Sequence, residues 1–436
     1  MKPKYFLALG LLVLGLGSCG ESFFEQYPSN NITEGNFYKT DDDFNQGVVA
    51  CYAKLKTQMS FHLTEIGYRG DENVLESMAV STQNRYDIDH FAETANNGIL
   101  NDIWNAWYNG IYRCNDVLDH MTGAKIANYD KYRGECLFLR SWWYFNLYRV
   151  FGVVPITRTV VTPAAAKLIP RCTEEEMYTL LTEDLAEAAR LLPPTPGPEK
   201  ARVANIAAYT LLAKVYLTFG KPAEAKTALE EAMKNTSYGL ESTTKKVFDV
   251  GNKMNREIIF ALYYNKTNDN GHGYWYSANT DVLADINNPT PTFKAIYDSE
   301  KDNRLPLISS YTKIKDNLFA MTKWYDTYDA TYTTQVGNDF PHLRYADVVL
   351  MYAEALAESG GSLGDALEWL NKTRTRAGLD ELTTDEVKSL AEFRRELAAE
   401  RGREFALEGH RWFDLVRLGL AVDYFREMGY SLDSHN

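Results

Sequence analysis

The sequence predicts a mainly α-helical fold, in which four helix hairpins form an α-α superhelical scaffold and a loop-rich irregular lobe carries few short strands. The clearest hairpin runs from Arg344 to Leu379, where two apolar helical stripes flank Gly360 and Gly361. Residues three, four or seven positions apart share one helix face, and glycine supplies the backbone freedom that ends a helix. The stripes are Tyr345, Val348, Tyr352, Ala355 and Leu356, then Leu367, Leu370 and Arg374. One hairpin cannot bury its apolar face alone, so we expect several to stack side by side.

A second copy of this pattern occupies residues 211–233, again as helix, glycine and alanine-rich helix. Pro222 lies near the start of its second helix, where a missing N–H costs little. Small residues at Ala213, Ala353 and Ala355 let paired helices approach closely. Aromatic and aliphatic residues on the first helix, with small residues near the turn, are typical of tetratricopeptide-like repeats.

The first 18 residues predict a signal peptide. Lys2 and Lys4 precede an apolar run of about 13 residues, which is too short to span a bilayer and has the length of a signal-peptide core. The run ends in Leu-Gly-Ser-Cys, which resembles a bacterial lipobox, where the cysteine becomes the lipidated first residue of the mature protein. Cys19 is therefore the predicted lipidation site. The alternative is an ordinary signal peptide followed by an incidental cysteine.

Charge argues against nucleic acid as a partner. The 436 residues carry a formal net charge of −13, and removal of residues 1–18 deletes two lysines and takes that charge to −15. An acidic surface repels phosphate backbones. With 45% hydrophobic residues, the chain is long enough to bury a large core.

Four cysteines follow Cys19. Cys51, Cys114 and Cys136 lie on apolar helical stripes, and no Cys-x-x-Cys pair occurs. Buried free thiols are therefore favoured over a disulfide framework or a zinc site.

The first three hairpins follow in order along the chain. Thr40 and Asp43 predict a capping box at the start of the first helix. Its apolar stripe is Phe44, Val48, Cys51, Tyr52 and Leu55. The partner helix at 100–121 carries Ile103, Trp107, Ile111 and Leu118, which leaves residues 59–99 as a polar, irregular insert. The next two hairpins are predicted at 132–150 with 174–192, and at 203–235.

The chain thus divides into four parts. They are the signal peptide at 1–18, an extended tether at 19–39, a part with three hairpins at 40–235, and a last part at 236–436. That last part holds a loop-rich ligand-binding lobe, the fourth hairpin at 342–379 and C-terminal helices. The insertion at 236–341 is long, and loops of such length inside a compact protein are usually functional.

Seven segments spread along nearly the whole mature chain carry a family resemblance. They are LGSC at 16–19, WNAWYNGIYRCNDVL at 104–118, FLRSWWYFNLYRVFGVVPI at 138–156, AAYTLLAKVYLTFG at 207–220, REIIFALYYN at 256–265, RYADVVLMYAEALAE with LNKTRTRAGL at 344–379, and ERGREFALEGHRWFDLVRLG at 400–419. With these segments the chain resembles the SusD/RagB family of outer-membrane nutrient-binding lipoproteins. That family usually continues past the last segment into a Pro-Ile-Pro-like element, whereas this sequence stops at Asn436.

The resemblance implies a non-catalytic lipoprotein, anchored through Cys19 in the outer membrane and exposed at the cell surface. It implies binding of an oligosaccharide or another nutrient. It further implies docking over a SusC-like TonB-dependent transporter, with the protein acting as the lid that delivers ligand to the channel and the helical repeats facing that transporter.

Two patterns offer an enzymatic interpretation, and each has a structural alternative. Residues 360–364 fit the Gly-x-Ser-x-Gly nucleophile pattern, with Asp380 and His410 following in hydrolase order, but that chemistry needs a strand before Ser362, where a helix is predicted. Four carboxylates step along one helix face, interleaved with arginines, so a structural ion-pair network is favoured over catalytic carboxylates. The carboxylates are Glu396, Glu400, Glu404 and Glu408, and the arginines are Arg395, Arg401, Arg403, Arg411 and Arg417.

We expect no cofactor and no metal site. The 7 histidines include no His-x-x-x-His pair and no cluster with carboxylates. Residues 268–271, Asn-Asp-Asn-Gly, resemble half a calcium loop but lack the distal glutamate, so a solvated turn is favoured.

Aromatic and polar residues of the two inserts form the candidate ligand site. No helical stripe is available to bury the aromatic residues near 275 and 324, and sugar rings present apolar C–H faces that stack on such rings. The predicted ligand-binding residues are Trp275, Tyr276, Tyr274, Trp324, Tyr86, Asn84 and Asp71. The resemblance places both inserts on one face. The alternative is that these aromatic residues form the core of the lobe.

Two other function classes remain open. A surface glycoside hydrolase would be favoured by turnover of any glycan. A helical-repeat adaptor that binds only protein would be favoured by the absence of small-ligand binding. The sugar itself does not follow from the sequence, because stacking tolerates many sugars.

Overall fold

A computed structural model describes residues 37–74, 83–265, 277–279, 288–315, 318–326 and 337–427. Eight of its helices form four hairpins, as predicted. The pairs are α1 Asp41–Gly67 with α2 Gly98–His120, α3 Tyr129–Phe151 with α4 Glu174–Leu191, α5 Asn205–Thr218 with α6 Pro222–Met233, and α7 Tyr345–Glu358 with α8 Leu363–Arg376. The signal peptide, Cys19 and most of the tether lie outside the described residues.

The hairpins stack into one continuous scaffold. Helix α2 packs on α3, α4 packs on α5, and α6 packs on α7. The last hairpin therefore joins the first three across the long insertion that separates it from them in sequence. This arrangement confirms the mainly α-helical fold class.

Sequence signals define how several helices begin. The predicted capping box is confirmed: the hydroxyl of Thr40 accepts from the N–H of Asp43 at 3.2 Å, and the Asp43 carboxylate accepts from the N–H of Thr40 at 2.7 Å. Thr173 and Glu176 form a second capping box at α4, which the sequence analysis did not identify. Pro222 occupies the first turn of α6, as expected.

The first helix is longer than predicted. Its apolar face continues through Leu63 and Ile66, both of which are buried, so α1 extends to Gly67 into the segment expected to be irregular. A short helix, Gln83–Asp89, follows within the same insert.

Glycine lets two of the scaffold helices approach closely. A Cβ atom on Gly110 of α2 would lie 2.3 Å from Cε2 of Trp143 on α3. The two helices therefore need glycine at this crossing.

At the end of α7, Gly360 has φ +84°, the left-handed conformation that favours glycine.

The core confirms most of the predicted stripes. Phe44, Val48, Ile103, Trp107 and Leu370 are all buried. Helix α7 departs from the prediction, because it is enclosed by α5, α6, α8 and the later helix at 390–404 and is buried on several faces. Three residues of its predicted stripe, Tyr345, Tyr352 and Leu356, are nevertheless only partly buried, and so is Arg374 on α8.

The cysteine prediction is confirmed. Cys51, Cys114 and Cys136 are buried free thiols, and Cys172 is a partly buried free thiol. Within the described residues, no group of three or more His, Cys, Asp or Glu side chains is placed to hold a metal ion.

In the described part of the chain, short strands occur only in the two inserts, between the hairpin helices. They form three small antiparallel sheets, in which β1 pairs with β4, β2 pairs with β7, and β6 lies between β3 and β5. Their bounds are β1 Asn73–Val74, β2 Ile258–Leu262, β3 Ser277–Asn279, β4 Asn288–Pro289, β5 Tyr311–Lys315, β6 Leu318–Met321 and β7 Phe340–Arg344. Strand β7 runs directly into α7, so the long insertion is tied to the last hairpin.

Three helices close the described chain. They are α9 Leu390–Glu404, α10 Arg411–Arg417 and α11 Ala421–Glu427. Helix α9 packs on both helices of the last hairpin, and α10 reaches α1. Short helices elsewhere span Pro163–Ala166, Thr244–Val247, Pro291–Lys294 and Leu305–Ser309. None of the helices in the described ranges combines the length and the apolar character that crossing a bilayer requires.

Ala355 provides a test of the close packing around α7. Its side chain is fully buried, so Ala355→Leu should overpack the core and lower the free energy of unfolding by about 1 to 3 kcal/mol. Ala186→Leu is the matched control, because Ala186 is exposed on α4. Chemical denaturation measures both variants, and equal stability of the two would show that the face of α7 carrying Ala355 is open.

Candidate functional site

The two inserts meet, as the family resemblance implied. Strand β1 of the first insert pairs antiparallel with β4 of the long insertion, with Asn73 opposite Pro289. Next to this ladder, the hydroxyl of Thr290 donates to the carbonyl of Asp71 at 2.8 Å, and the N–H of Thr290 donates to the carbonyl of Glu72 at 3.1 Å. Segments far apart in sequence therefore form one junction, which we call the insert junction.

Both inserts are anchored to the segment 406–408. The Lys323 ammonium of the long insertion lies 2.8 Å from the Glu408 carboxylate and donates to the carbonyl of Ala406. From the first insert, the Glu72 carboxyl accepts from the N–H of Leu407 at 3.2 Å. Leu407 has φ +63°, so this anchoring segment holds an unusual backbone conformation. Burial, together with the neighbouring Asp71 carboxylate, raises the pKa of Glu72 to about 8.

Asp71 is a structural residue and not a ligand-binding one. Its side chain is only 2% exposed, and both carboxylate oxygens accept from the Arg411 guanidinium, at 2.6 and 2.8 Å. A bidentate pair of this kind occupies the groups that a sugar hydroxyl would need. The pair holds the first insert against α10.

Trp324 is likewise a core residue, which contradicts a stacking role for its ring. It is 0% exposed, with the ring of Phe248 5.0 Å away in an edge-on arrangement and the ring of Phe340 at 6.1 Å. No face of the indole is open to a ligand. The alternative interpretation, that aromatic residues of the insertion build its core, is the correct one for this residue.

Tyr86 and Asn84 stay at the surface on the short helix Gln83–Asp89. The ring of Tyr86 is partly buried and stacks on His90 at 3.8 Å between centroids. Asn84 is exposed, and its side-chain oxygen accepts from the N–H of Gly98 at 3.1 Å. Both residues remain candidates for ligand contact.

A further aromatic group beside this helix escaped the sequence analysis. Phe91 is 37% exposed, has φ +52°, and packs between Trp412 at 5.6 Å and Phe425 at 5.3 Å. A bulky residue with positive φ is uncommon and marks a constrained position. No sequence pattern signals such a conformation.

The remaining aromatic candidates lie outside the described residues. Tyr274, Trp275 and Tyr276 directly precede β3 in the chain, and β3 pairs with β6. The half calcium loop at 268–271 also lies outside the described residues.

A cavity of about 570 Å³ lies within the long insertion, and we call it the lobe cavity. Tyr325 and Phe248 supply aromatic surface, while hydroxyl and charged groups supply hydrogen-bonding capacity. The polar lining consists of Thr243, Thr322, Asp249, Lys245, Lys246 and Lys323. Its size falls in the range of small-ligand sites, and aromatic surface with a few polar groups suits a sugar. Trp324, which is buried, immediately precedes Tyr325 in the chain.

The carboxylates of α9 and the following turn form a structural network, as favoured from the sequence. Arg344 of β7 binds Glu404 at 2.6 Å, Glu257 at 2.7 Å and Glu408 at 2.9 Å. Arg304 binds Glu400 at 2.7 Å. All of these side chains are buried, so the network connects the long insertion to α9.

The interleaved arginines belong to the ion-pair network as well, although most of them pair with other carboxylates than these four glutamates. Arg403 binds Glu400 at 3.0 Å, but Arg401, Arg411 and Arg417 bind the aspartates 414, 71 and 414, respectively. Side chains one residue apart point to different sides of a helix, so neighbours in sequence are not neighbours in space.

The residues of the nucleophile pattern serve separate structural roles. The Ser362 hydroxyl caps α8 by accepting from the N–H of Asp365 at 3.0 Å. Asp380 is exposed and pairs with Lys301 at 2.5 Å, while His410 is buried and stacks on Phe405 at 4.7 Å. Each group therefore has its own partner, and the helix before Ser362 is present as expected.

Family profiles match most of the chain. A profile described as the SusD family matches residues 302–436, and a second, described as starch-binding and associating with the outer membrane, matches residues 27–217. SusD-like protein P2 of Formosa agariphila is 26% identical, over 98% of this chain and 93% of that protein.

Solved structures share the fold. A SusD superfamily protein from Bacteroides vulgatus matches with a TM-score of 0.77 at 24% identity, over 91% of this chain and 94% of that one. Surface glycan-binding protein A from Bacteroides thetaiotaomicron, solved in complex with laminarihexaose, matches with a TM-score of 0.72 at 21% identity, over 88% and 91% of the two chains.

Proposed function

Because the chain belongs to the SusD family, we propose that it is a non-catalytic cell-surface protein that binds an oligosaccharide or another nutrient. The observation that carries this proposal is the insert junction, where two long insertions of a helical scaffold come together. The lobe cavity, with its aromatic and polar lining, is connected to this junction because its Lys323 and the Glu72 of the first insert both bind the segment 406–408. The laminarihexaose complex of a structural relative supports a glycan as the ligand.

The ligand site proposed here differs from the first expectation. Trp275, Tyr274 and Tyr276 stay in it, together with Tyr86 and Asn84. Tyr325 joins it because its ring lines the lobe cavity. Trp324 and Asp71 support the site from within the core, since both are buried.

We also propose that the protein is lipid-anchored in the outer membrane through Cys19 and works with a SusC-like TonB-dependent transporter. In this arrangement the helical hairpins face the transporter and the protein acts as a lid that hands the ligand to the channel. The outer-membrane association in the description of the matching family supports this location.

A glycan panel tests the ligand. If Trp275 and Tyr325 stack on sugar rings, Trp275→Ala and Tyr325→Ala should each weaken binding of the glycan that the panel identifies by about tenfold or more. The reason is that ring stacking is worth about 1 to 3 kcal/mol, by analogy with base stacking. Tyr112→Ala is the matched control, since Tyr112 is exposed on α2 and does not line the lobe cavity. Calorimetric titration measures all three variants. Failure of every glycan to bind would reject a glycan ligand, and turnover of a glycan would favour a hydrolase.

Membrane fractionation tests the anchor. Cys19→Ala removes the thiol that the lipobox-like sequence offers for acylation, so the variant should be soluble or unprocessed and should not incorporate labelled fatty acid. Cys172→Ala is a suitable control, because that cysteine is a partly buried free thiol within the folded part. The proposal would be contradicted if all of the Cys19→Ala protein were recovered in the outer membrane with labelled fatty acid attached.

A further inference from the structure

A second cavity, remote in sequence from both inserts, lies where α3, α5 and α10 meet. Its volume is about 470 Å³. We call it the scaffold cavity, and its lining includes Tyr148, Arg149, Lys214, Thr218, Phe413 and Arg417. It shares no lining residue with the lobe cavity, because its lining comes from α3, α5, α10 and the residues next to them.

Charge around the scaffold cavity is unbalanced in favour of cations. Three carboxylates and three cations pair with one another there: Asp347, Asp414 and Glu354 with Lys214, Arg401 and Arg417. Arg149 is a fourth cation, and it has no carboxylate within ion-pair distance among the described residues. In a protein with a net charge of −13, a partly buried cation without a counter-ion is unexpected.

The guanidinium of Arg149 is held in a fixed orientation. Its central carbon lies 4.0 Å from the ring centroid of Phe413 and 4.8 Å from that of Phe145, so aromatic rings contact it. The side-chain oxygen of Asn146 accepts from Nη2, while Nε is buried without a hydrogen-bond partner. Burial lowers the pKa of Arg149 to about 9, and the more distant Asp414 and Asp347 carboxylates only partly oppose that shift. The group is therefore charged at pH 7, oriented, and short of acceptors.

Such a group matches a planar anion. A guanidinium offers five N–H donors in a rigid fork that fits both oxygens of a carboxylate. An unmet donor in a buried site costs free energy that an incoming acceptor recovers. Lys214 also lines the cavity, but its charge is already paired with Asp347, so Arg149 is the group left for an anion.

We propose that the scaffold cavity binds a carboxylated sugar, a hexuronic acid unit, with its carboxylate on Arg149. The partly buried ring of Tyr148 offers surface for the C–H face of the sugar, and the partly buried Thr218 hydroxyl offers a partner for one of its hydroxyls. The volume suits a ligand of one or two sugar rings. The choice of a sugar over another carboxylate rests on the proposed function, whereas the anion preference rests on Arg149 alone.

Titration of the full chain tests this inference. Glucuronate and galacturonate should bind at least tenfold more tightly than glucose, and rising salt should weaken that binding. Arg149→Gln should weaken uronate binding by about tenfold or more. Arg190→Gln removes the same charge from an exposed position on α4 and should leave binding unchanged. Arg149→Lys keeps the charge without the fork and should fall between the wild type and Arg149→Gln.

Thermal melts keep the test decisive if Arg149→Gln is less stable. Uronate should raise the melting temperature of the wild type and of Arg190→Gln, but not that of Arg149→Gln, whatever its starting value. Equal binding of glucose and glucuronate, or undiminished binding by Arg149→Gln, would overturn the proposal. Tighter binding of an acidic peptide than of any uronate would overturn the sugar assignment.

The neutral glycans of the panel separate this inference from the proposed function. Arg149→Gln should bind them as the wild type does, because the scaffold cavity lies outside both inserts. Neutral glycan binding without uronate binding would reject the scaffold cavity as a site and leave the proposed function intact. If uronate binds the wild type but not Arg149→Gln, and no neutral glycan binds either protein, the scaffold cavity would be supported as a ligand site. The insert junction would then be rejected as one.

Discussion

Arg344→Met is expected to lower the free energy of unfolding by about 3 to 5 kcal/mol, the loss typical of breaking a buried ion pair from one side. Arg344 is 1% exposed and binds the carboxylates of Glu257, Glu404 and Glu408. Methionine has a similar length but no charge, so three buried carboxylates would each lose a cation. Arg376, Arg304 and Lys323 would still serve them in part.

Chemical denaturation of Arg344→Met should be compared with that of Arg395→Met. Arg395 is exposed and pairs with Glu427 at 3.0 Å, and surface pairs contribute only about 0 to 1 kcal/mol. Losses of equal size in the two variants would show that the buried network stabilises no more than a surface pair does.

Acid should reduce the difference between Arg344→Met and the wild type. Burial opposes ionisation of Glu404, but the attraction of Arg376, Arg344 and Arg304 is stronger and holds its pKa well below the ordinary range. A carboxyl group with a lowered folded-state pKa stabilises the protein fully above its unfolded pKa of about 4.3, and that stabilisation is lost as the pH falls toward the folded value. The stability difference should therefore be constant near neutral pH and shrink below about pH 4.

Trp324→Ala is expected to cost about 3 to 5 kcal/mol of stability, because it removes a fully buried indole from between Phe248 and Phe340. Affinity for the glycan, measured per folded molecule, should change little, since the ring has no exposed face. A thermal melt and a calorimetric titration on the same sample measure the two quantities.

The paired variant is Trp275→Ala, for which the proposed ligand site predicts the reverse result. Its melting temperature should be nearly that of the wild type while its affinity falls by about tenfold or more. Normal stability of Trp324→Ala with lost binding would contradict the buried position of Trp324. Loss of stability in both variants would show that both tryptophans belong to the core of the lobe.

The helices could be predicted because their signals are local. Thr40 with Asp43, and Phe44 with Val48, lie within one or two turns of each other, so the sequence displays the cap and the apolar face directly. The cysteines on those stripes were buried for the same reason. Helix α7 shows where this reasoning stops, because neighbours on several sides bury Leu350 and Met351, which lie off the predicted stripe.

The candidate site was predictable only in outline. The family resemblance correctly placed the two inserts on one face, but the partners inside them come from distant parts of the chain. Asp71 and Arg411 are separated by 340 positions, and no spacing rule connects them. The scaffold cavity likewise depends on which cation is left without a carboxylate, a property that appears only when all charges are placed together.

The sequence by itself determined the helical hairpins, the capping box at Thr40, the free buried thiols and the family, because helical periodicity and sequence motifs act over short stretches. Only the tertiary structure decided that Trp324 is buried and Tyr325 lines a cavity, although they are adjacent. Only that structure also decided which cation each glutamate of α9 binds. The physical reason is that burial and ion pairing depend on what other segments bring to a side chain, and in a loop no periodicity encodes which side faces the core.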